Sequence, residues 1–252
     1  MMNPLFDAHL HLDPGKGSPV DELLEELRSN GVTGANLILN SPEEKECFRR
    51  DRAKLEKSGV RFVYSLTYDR ESFDFMRRGG VPFWMKIHPR LEALSAGDTP
   101  RLAEIVAKED PAGIIVDCWP DDLSPENDCG AKIGTALAAA FPRKPVVLAH
   151  AGGIFFRETL FLSRKPRNIF FDTALTANYF FGSAMRQDFV YALRFFGGRI
   201  MFGSDRPDFP VKEALRVMEE ILRCAGADDE LRRRYSGGNA RRIYLGETEA
   251  AR

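Results

Sequence analysis

No apolar run in this chain approaches the roughly 20 residues of a helical membrane span, and the opening MMNPLFDAHLHLD has neither the basic flank nor the apolar stretch of a secretory signal. Basic residues are not in excess: 36 Lys and Arg stand against 37 Asp and Glu, too even a balance for a nucleic-acid or anionic-membrane binder. Cysteine is sparse. Cys47, Cys118, Cys129 and Cys224 lie far apart with no CxxC pair, a distribution that suits reduced cytosolic thiols better than a disulfide framework or a zinc knuckle. These absences predict a cytoplasmic protein whose partner is a small-molecule substrate, with no nucleic acid and no membrane, and with a homo-oligomer left open. Histidine is scarce too, at four in 252 residues, so where the four fall carries information.

Short β-like runs alternate with amphipathic helical patterns from end to end. The strand candidates are LFDAHLHL, VTGANLIL, VRFVYSLT, VPFWMKIH, AGIIVDCW, PVVLAH, NIFFDT and RIMFGSD. The clearest helix follows the first strand, with Ser18 as N-cap, Pro19 at its first position, a stripe of Val20, Leu23, Leu24 and Leu27, and Asn30-Gly31 as its stop. Similar patterns cover 42–57, 98–108, 128–140, 154–164, 185–196 and 210–225, with a less regular one over 69–79. Eight βα units without a linker or low-complexity tract predict an α/β fold, a (β/α)8 TIM barrel forming a single domain over 1–252. A doubly wound open sheet shares the rhythm but would more often carry a glycine-rich phosphate turn after its first strand.

A TIM barrel carries its chemistry at the C-terminal ends of its strands. Residues two apart on a strand point the same way, so His9 and His11 project side by side at the first strand's exit. By the same alternation Trp84, Lys86 and His88 share a face on the fourth strand, and Asp117 and Trp119 on the fifth. His150 ends the sixth, Asp172 the seventh, and Asp205 follows the eighth. All four histidines therefore lie at strand ends, beside the carboxylates of Asp7, Asp117, Asp172 and Asp205. This is the donor chemistry of a divalent cation, zinc first, with manganese or iron as alternatives.

FDAHLHL, KIHP, VVLAHAGG, NIFFDT, RIMFGSDRP and GGNARRIY, in this order, make the chain resemble the amidohydrolase superfamily, and within it the amidohydrolase-related branch of TIM-barrel metal-dependent hydrolases and zinc decarboxylases. The TatD-like nucleases share the opening DxHxHxD, but typically carry a fourth-strand glutamate and an ETD-type eighth strand that this chain lacks. The resemblance implies that His9 and His11 are metal ligands and that Asp205 contacts the metal and the attacking water. It implies that His150 binds a second metal or polarises substrate and water. Asp172 and Asn239 match positions read as structural, with Asn239 capping the last helix. Lys86 aligns with a position that holds a carbamylated lysine in some members.

The family usually ends its fifth strand with a histidine, and this chain has Asp117 there. Asp117 either joins His9, His11 and Asp205 as a ligand or marks a weakened site. The implied enzyme is a metal-dependent hydrolase of an amide, ester or lactone. In it Asp205 takes the proton from water, and His150, with Lys86 or His88, stabilises the oxyanion. The alternatives are a nonoxidative decarboxylase of an aromatic or related acid and a metal-free or inactive barrel. Lys86 reads equally as a buried partner for Asp117, and His88 as a residue that fixes its loop. Arg206 either binds a substrate carboxylate or pairs with Asp208. Trp119, Tyr179, Phe180 and Phe181 are candidate pocket aromatics, and the loops 120–130 and 174–184 candidate specificity segments.

Overall fold

The computed structural model describes residues 4–120 and 129–247. Eight parallel strands run in one sheet in sequence order, β1 (Leu5–His11), β2 (Val32–Leu39), β3 (Arg61–Thr67), β4 (Phe83–Ile87), β5 (Ile114–Asp117), β6 (Val146–Ala149), β7 (Ile169–Asp172) and β8 (Ile200–Met201). With helices between the strands, this is the (β/α)8 TIM-barrel fold. No helix among the described residues is long and apolar enough to cross a membrane. Two compact units make up the chain, one of residues 1–64 with 173–252 and one of residues 65–172.

In the first unit, α1 (Pro19–Ser29) and α2 (Pro42–Lys57) follow β1 and β2. Helix α1 begins where its Pro19 predicts, although Ser18 makes no side-chain cap. Helix α2 is closed by a full capping box. Glu44 N–H donates to Ser41 Oγ, and the Glu44 carboxylate accepts from the Ser41 N–H, an arrangement worth about 1 kcal/mol. The C-terminal half of the unit supplies α7 (Thr176–Phe180), α8 (Arg186–Phe196), α9 (Val211–Ala225), α10 (Asp229–Arg233) and α11 (Asn239–Leu245). Helix α9 buries Val211, Ala214, Val217, Met218, Ile221, Leu222 and Ala225, one stripe at helical spacing, and stops at Gly226 in the left-handed region.

In the second unit, α3 (Arg70–Arg78), α4 (Thr99–Glu109), α5 (Gly130–Ala140) and α6 (Phe156–Leu162) separate the strands. Strands β4 to β7 are buried along their whole length. They therefore read as nearly continuous apolar runs, broken by Lys86, Asp117 and Asp172. Helix α3, irregular by pattern, forms because Asp69 accepts from the Ser72 N–H at its N-cap and Phe73 and Met76 anchor its inner face.

Three expectations need correction. Strand β8 is two residues long, shorter than RIMFGSD predicts, and the chain beyond it continues beside β1 outside strand geometry, with Asp205 at a left-handed φ of 62°. The span 174–184 is not wholly loop, since α7 lies within it. Asn239 does not cap the last helix. It is the first residue of α11, and its amide donates to the carbonyls of Gly197 and Ile200 at 2.6 and 2.7 Å, tying the helix to the start of β8. Of the other predicted specificity loop, 121–128 lie outside the described residues.

Candidate metal centre

In the first unit, backbone pairing beyond β8 brings distant residues together. Ala8 N–H donates to Phe202 O at 2.9 Å, Asp205 N–H to His9 O at 2.9 Å, and His11 N–H to Arg206 O at 2.7 Å. The segment after β8 thus runs along β1 although it has left strand geometry. Gly203 allows the approach, because a Cβ there would lie 3.0 Å from the Cβ atoms of both His9 and Ala174. Asp7 clamps the two segments, its Oδ1 accepting from His9 N–H at 3.1 Å and Ser204 N–H at 3.0 Å. Its Oδ2 is buried without a partner. Burial, opposed by those hydrogen bonds and aided by the Asp205 charge, pushes the Asp7 carboxyl up to about 7.

This pairing sets three donor atoms against one another. His9 Nε2 lies 3.3 Å from His11 Nε2 and 3.3 Å from Asp205 Oδ1, and His11 Nε2 lies 3.8 Å from the same oxygen. Ligands about 2.1 Å from a tetrahedral ion are about 3.4 Å apart, so the three residues fit a divalent metal. Behind them, Glu44 Oε1 lies 3.2 Å from His11 Nδ1. Burial would raise the Glu44 carboxyl, but His11 and the N–H groups of Ser41 and Asn40 hold it below its usual range.

Arg206 differs from both of its expected roles. Its Nε donates to Glu26 Oε2 at 2.9 Å and its Nη1 to His11 O at 3.1 Å, with the side chain 6% exposed. Glu26 also accepts from Val211 N–H at 2.8 Å, the first residue of α9. Arg206 therefore pairs with Glu26 rather than Asp208. Its donors fasten α1, β1 and α9 together instead of facing a substrate carboxylate.

The second unit brings together Lys86, His88, Asp117 and His150. Asp117 Oδ2 accepts from Lys86 Nζ at 3.0 Å and lies 3.1 Å from His150 Nε2 and 3.5 Å from His88 Nε2. Its Oδ1 accepts from Trp119 N–H at 3.1 Å. Burial opposes its ionisation, but Lys86, His150 and His88 hold the carboxyl well below the usual range. Asp117 is thus the shared anion of a buried basic cluster, and Lys86 is its partner. Burial, opposed by Asp117 and reinforced by Lys86, lowers His88 to about 3 and keeps it neutral. His88 N–H donates to Glu92 and His88 Nδ1 accepts from Leu91 N–H at 3.4 Å, so the residue also fixes its loop.

His150 stands on an unusual backbone. It and Ala151 have φ of 57° and 47°, and Gly152 and Gly153 continue in the left-handed region at 93° and 53°. His150 N–H donates to Asp172 Oδ1 at 3.0 Å, which gives Asp172 the expected structural position; burial, opposed by His150, raises its carboxyl. Trp119 meets the His150 ring edge-on at 6.1 Å. Of the other aromatics, Tyr179 is 63% exposed and packs on Phe180 and Phe209. Glu44 and Glu26 were not anticipated from the sequence. The spacing Ser41-x-x-Glu44 announces a helix cap, but nothing in it points to His11.

A family model described as amidohydrolase matches residues 13–245, beginning just after the two β1 histidines. No curated protein matches significantly. Among solved structures, an uncharacterised TIM-barrel protein from Bordetella bronchiseptica is 15% identical over 96% of this chain and 98% of its own, with a TM-score of 0.72. An amidohydrolase from Burkholderia multivorans with bound zinc is 14% identical over 96% and 99%, with a TM-score of 0.64. The 5-carboxyvanillate decarboxylase of Sphingomonas paucimobilis is 14% identical over 97% and 99%, with a TM-score of 0.63. At these identities the likeness is one of fold.

Proposed function

Because this chain belongs to the amidohydrolase family, we propose that it is a metal-dependent hydrolase that directs water against an amide, ester or lactone. The observation that carries this reading is the triangle of His9 Nε2, His11 Nε2 and Asp205 Oδ1, with edges of 3.3 to 3.8 Å that match the spacing of ligands around one ion. In this reading His9, His11 and Asp205 hold the ion, with zinc the first choice. A divalent cation supplies Lewis acidity and lowers the pKa of water toward about 7.

The protein's own residues do the rest. Asp205 accepts the proton from the attacking water at its carboxylate and returns it to the leaving group. Within the second unit Asp117 holds His150 at Nε2. Lys86 acts through Asp117, keeping that carboxylate ionised.

The test is elemental analysis of protein purified without chelator, followed by turnover on lactones, esters, amides and carboxylated aromatics with hydrolysis and carbon dioxide both monitored. Stoichiometric metal, hydrolysis, and loss of turnover in a folded Asp205→Asn variant are expected. Absence of metal, with none taken up from added zinc or manganese, would sink the proposal. Carbon dioxide release without hydrolysis would replace it with a decarboxylase.

A further inference from the structure

We propose that Glu44 is a positioning residue for the metal centre, fixing through His11 Nδ1 the imidazole tautomer that turns the His11 Nε2 lone pair toward His9 and Asp205. The inference rests on the metal-binding reading above and adds a residue to it.

The Glu44 carboxylate is held before it meets His11. Its Oε2 accepts from both Asn40 N–H and Ser41 N–H at 2.8 Å, and Glu44 N–H donates to Ser41 Oγ at 3.1 Å, so the first turn of α2 fixes its direction. The remaining oxygen, Oε1, sits 3.2 Å from His11 Nδ1. An ionised carboxylate only accepts hydrogen bonds, and a neutral imidazole carries a single N–H. The proton therefore sits on Nδ1, and Nε2 presents a lone pair 3.3 Å from His9 Nε2 and 3.8 Å from Asp205 Oδ1. The opposite tautomer would set the Nδ1 lone pair against the carboxylate and aim an N–H into the ligand triangle. A carboxylate on the far nitrogen of a ligating histidine also raises the basicity of the near one.

Glutamine separates this role from capping. In a capping box glutamine serves as well as glutamate, so Glu44→Gln keeps an oxygen for the Asn40 and Ser41 N–H groups. It then turns its NH2 toward His11 Nδ1, a donor where an acceptor was, and reverses the tautomer.

The experiment records long-range 1H–15N correlations of the His11 ring in metal-free wild-type protein and in E44Q, together with zinc titration by calorimetry and thermal melting of both. The expected result is Nδ1–H in wild type, Nε2–H in E44Q, a zinc affinity lowered about 10- to 100-fold, and nearly unchanged melting of the metal-free variant. Nε2–H in the wild-type protein overturns the inference without reference to any variant. An unaltered tautomer and zinc affinity in E44Q overturn it too, reducing Glu44 to a cap while the metal reading stands. A tautomer that switches in E44Q as described, beside a wild-type protein that takes up no zinc, supports Glu44's control of His11 and sinks the metal reading instead.

Discussion

Lys86 and Asp117 form a buried ion pair across β4 and β5, Nζ to Oδ2 at 3.0 Å, with side chains 0% and 3% exposed. Neither charge has water to fall back on. Lys86→Met is therefore expected to destabilise the protein by about 3–5 kcal/mol, because it strands the Asp117 charge in the interior. Combining it with Asp117→Asn should cost less than the two single losses added. Urea unfolding of the three variants measures both effects.

Metal binding should stabilise the fold as well as supply chemistry. At a free zinc concentration about 100 times the dissociation constant, the gain is about 2.7 kcal/mol, or about 5–10 °C in Tm for a chain of this size. Calorimetric melting with zinc and then with chelator reads the shift. His9→Ala, which removes one corner of the triangle, should abolish it.

Two buried groups give stability opposite pH dependences. His88, lowered from 6.5 to about 3, stays neutral in the fold while the unfolded chain takes up its proton below 6.5. It therefore lowers stability as pH falls through that window, by up to about 1.4 kcal/mol per pH unit. Asp7, raised from 3.8 to about 7, keeps its proton in the fold after the unfolded chain has lost it, so it lowers stability as pH rises between those values. In the wild-type protein the two slopes oppose. Melting from pH 4 to 7 should show His88→Gln more stable toward acid, and Asp7→Asn with a steeper gain in stability as pH rises.

Arg206→Ala should act on stability. It removes donors to Glu26 and to His11 O, and charged hydrogen bonds of this kind are worth about 1.5–3 kcal/mol each, so a loss of about 3–6 kcal/mol is expected. Arg206→Lys, without the guanidinium fork, should fall between Ala and wild type. Thermal denaturation ranks the three proteins.

The barrel was legible because each strand and helix advertises itself locally. Alternation along DAHLH sets His9 and His11 on one face, Pro42 and Ser41-x-x-Glu44 start α2 where the pattern places it, and the apolar runs of β5 to β7 need burial on both sides. Strand β8 escaped because the chain beyond Met201 leaves strand geometry while still pairing along β1, which the residues RIMFGSD do not disclose. The short helix α7 escaped for a related reason, since five residues hold too little periodicity to show.

The order of the sheet, the strand ends that bear the histidines and aspartates, and the donor types suited to a divalent cation follow from the amino-acid sequence, because hydrophobic period and residue chemistry are local properties. Which oxygen faces which nitrogen does not. Only tertiary structure decided that Asp205 pairs along β1 beside His9, that Glu44 meets His11 with the carboxylate oxygen its helix cap leaves over, that Asp117 gathers Lys86, His88 and His150, and that Arg206 turns to Glu26. Those partners are brought together by backbone pairing and helix packing across long sequence separations, where spacing along the chain carries no record of distance.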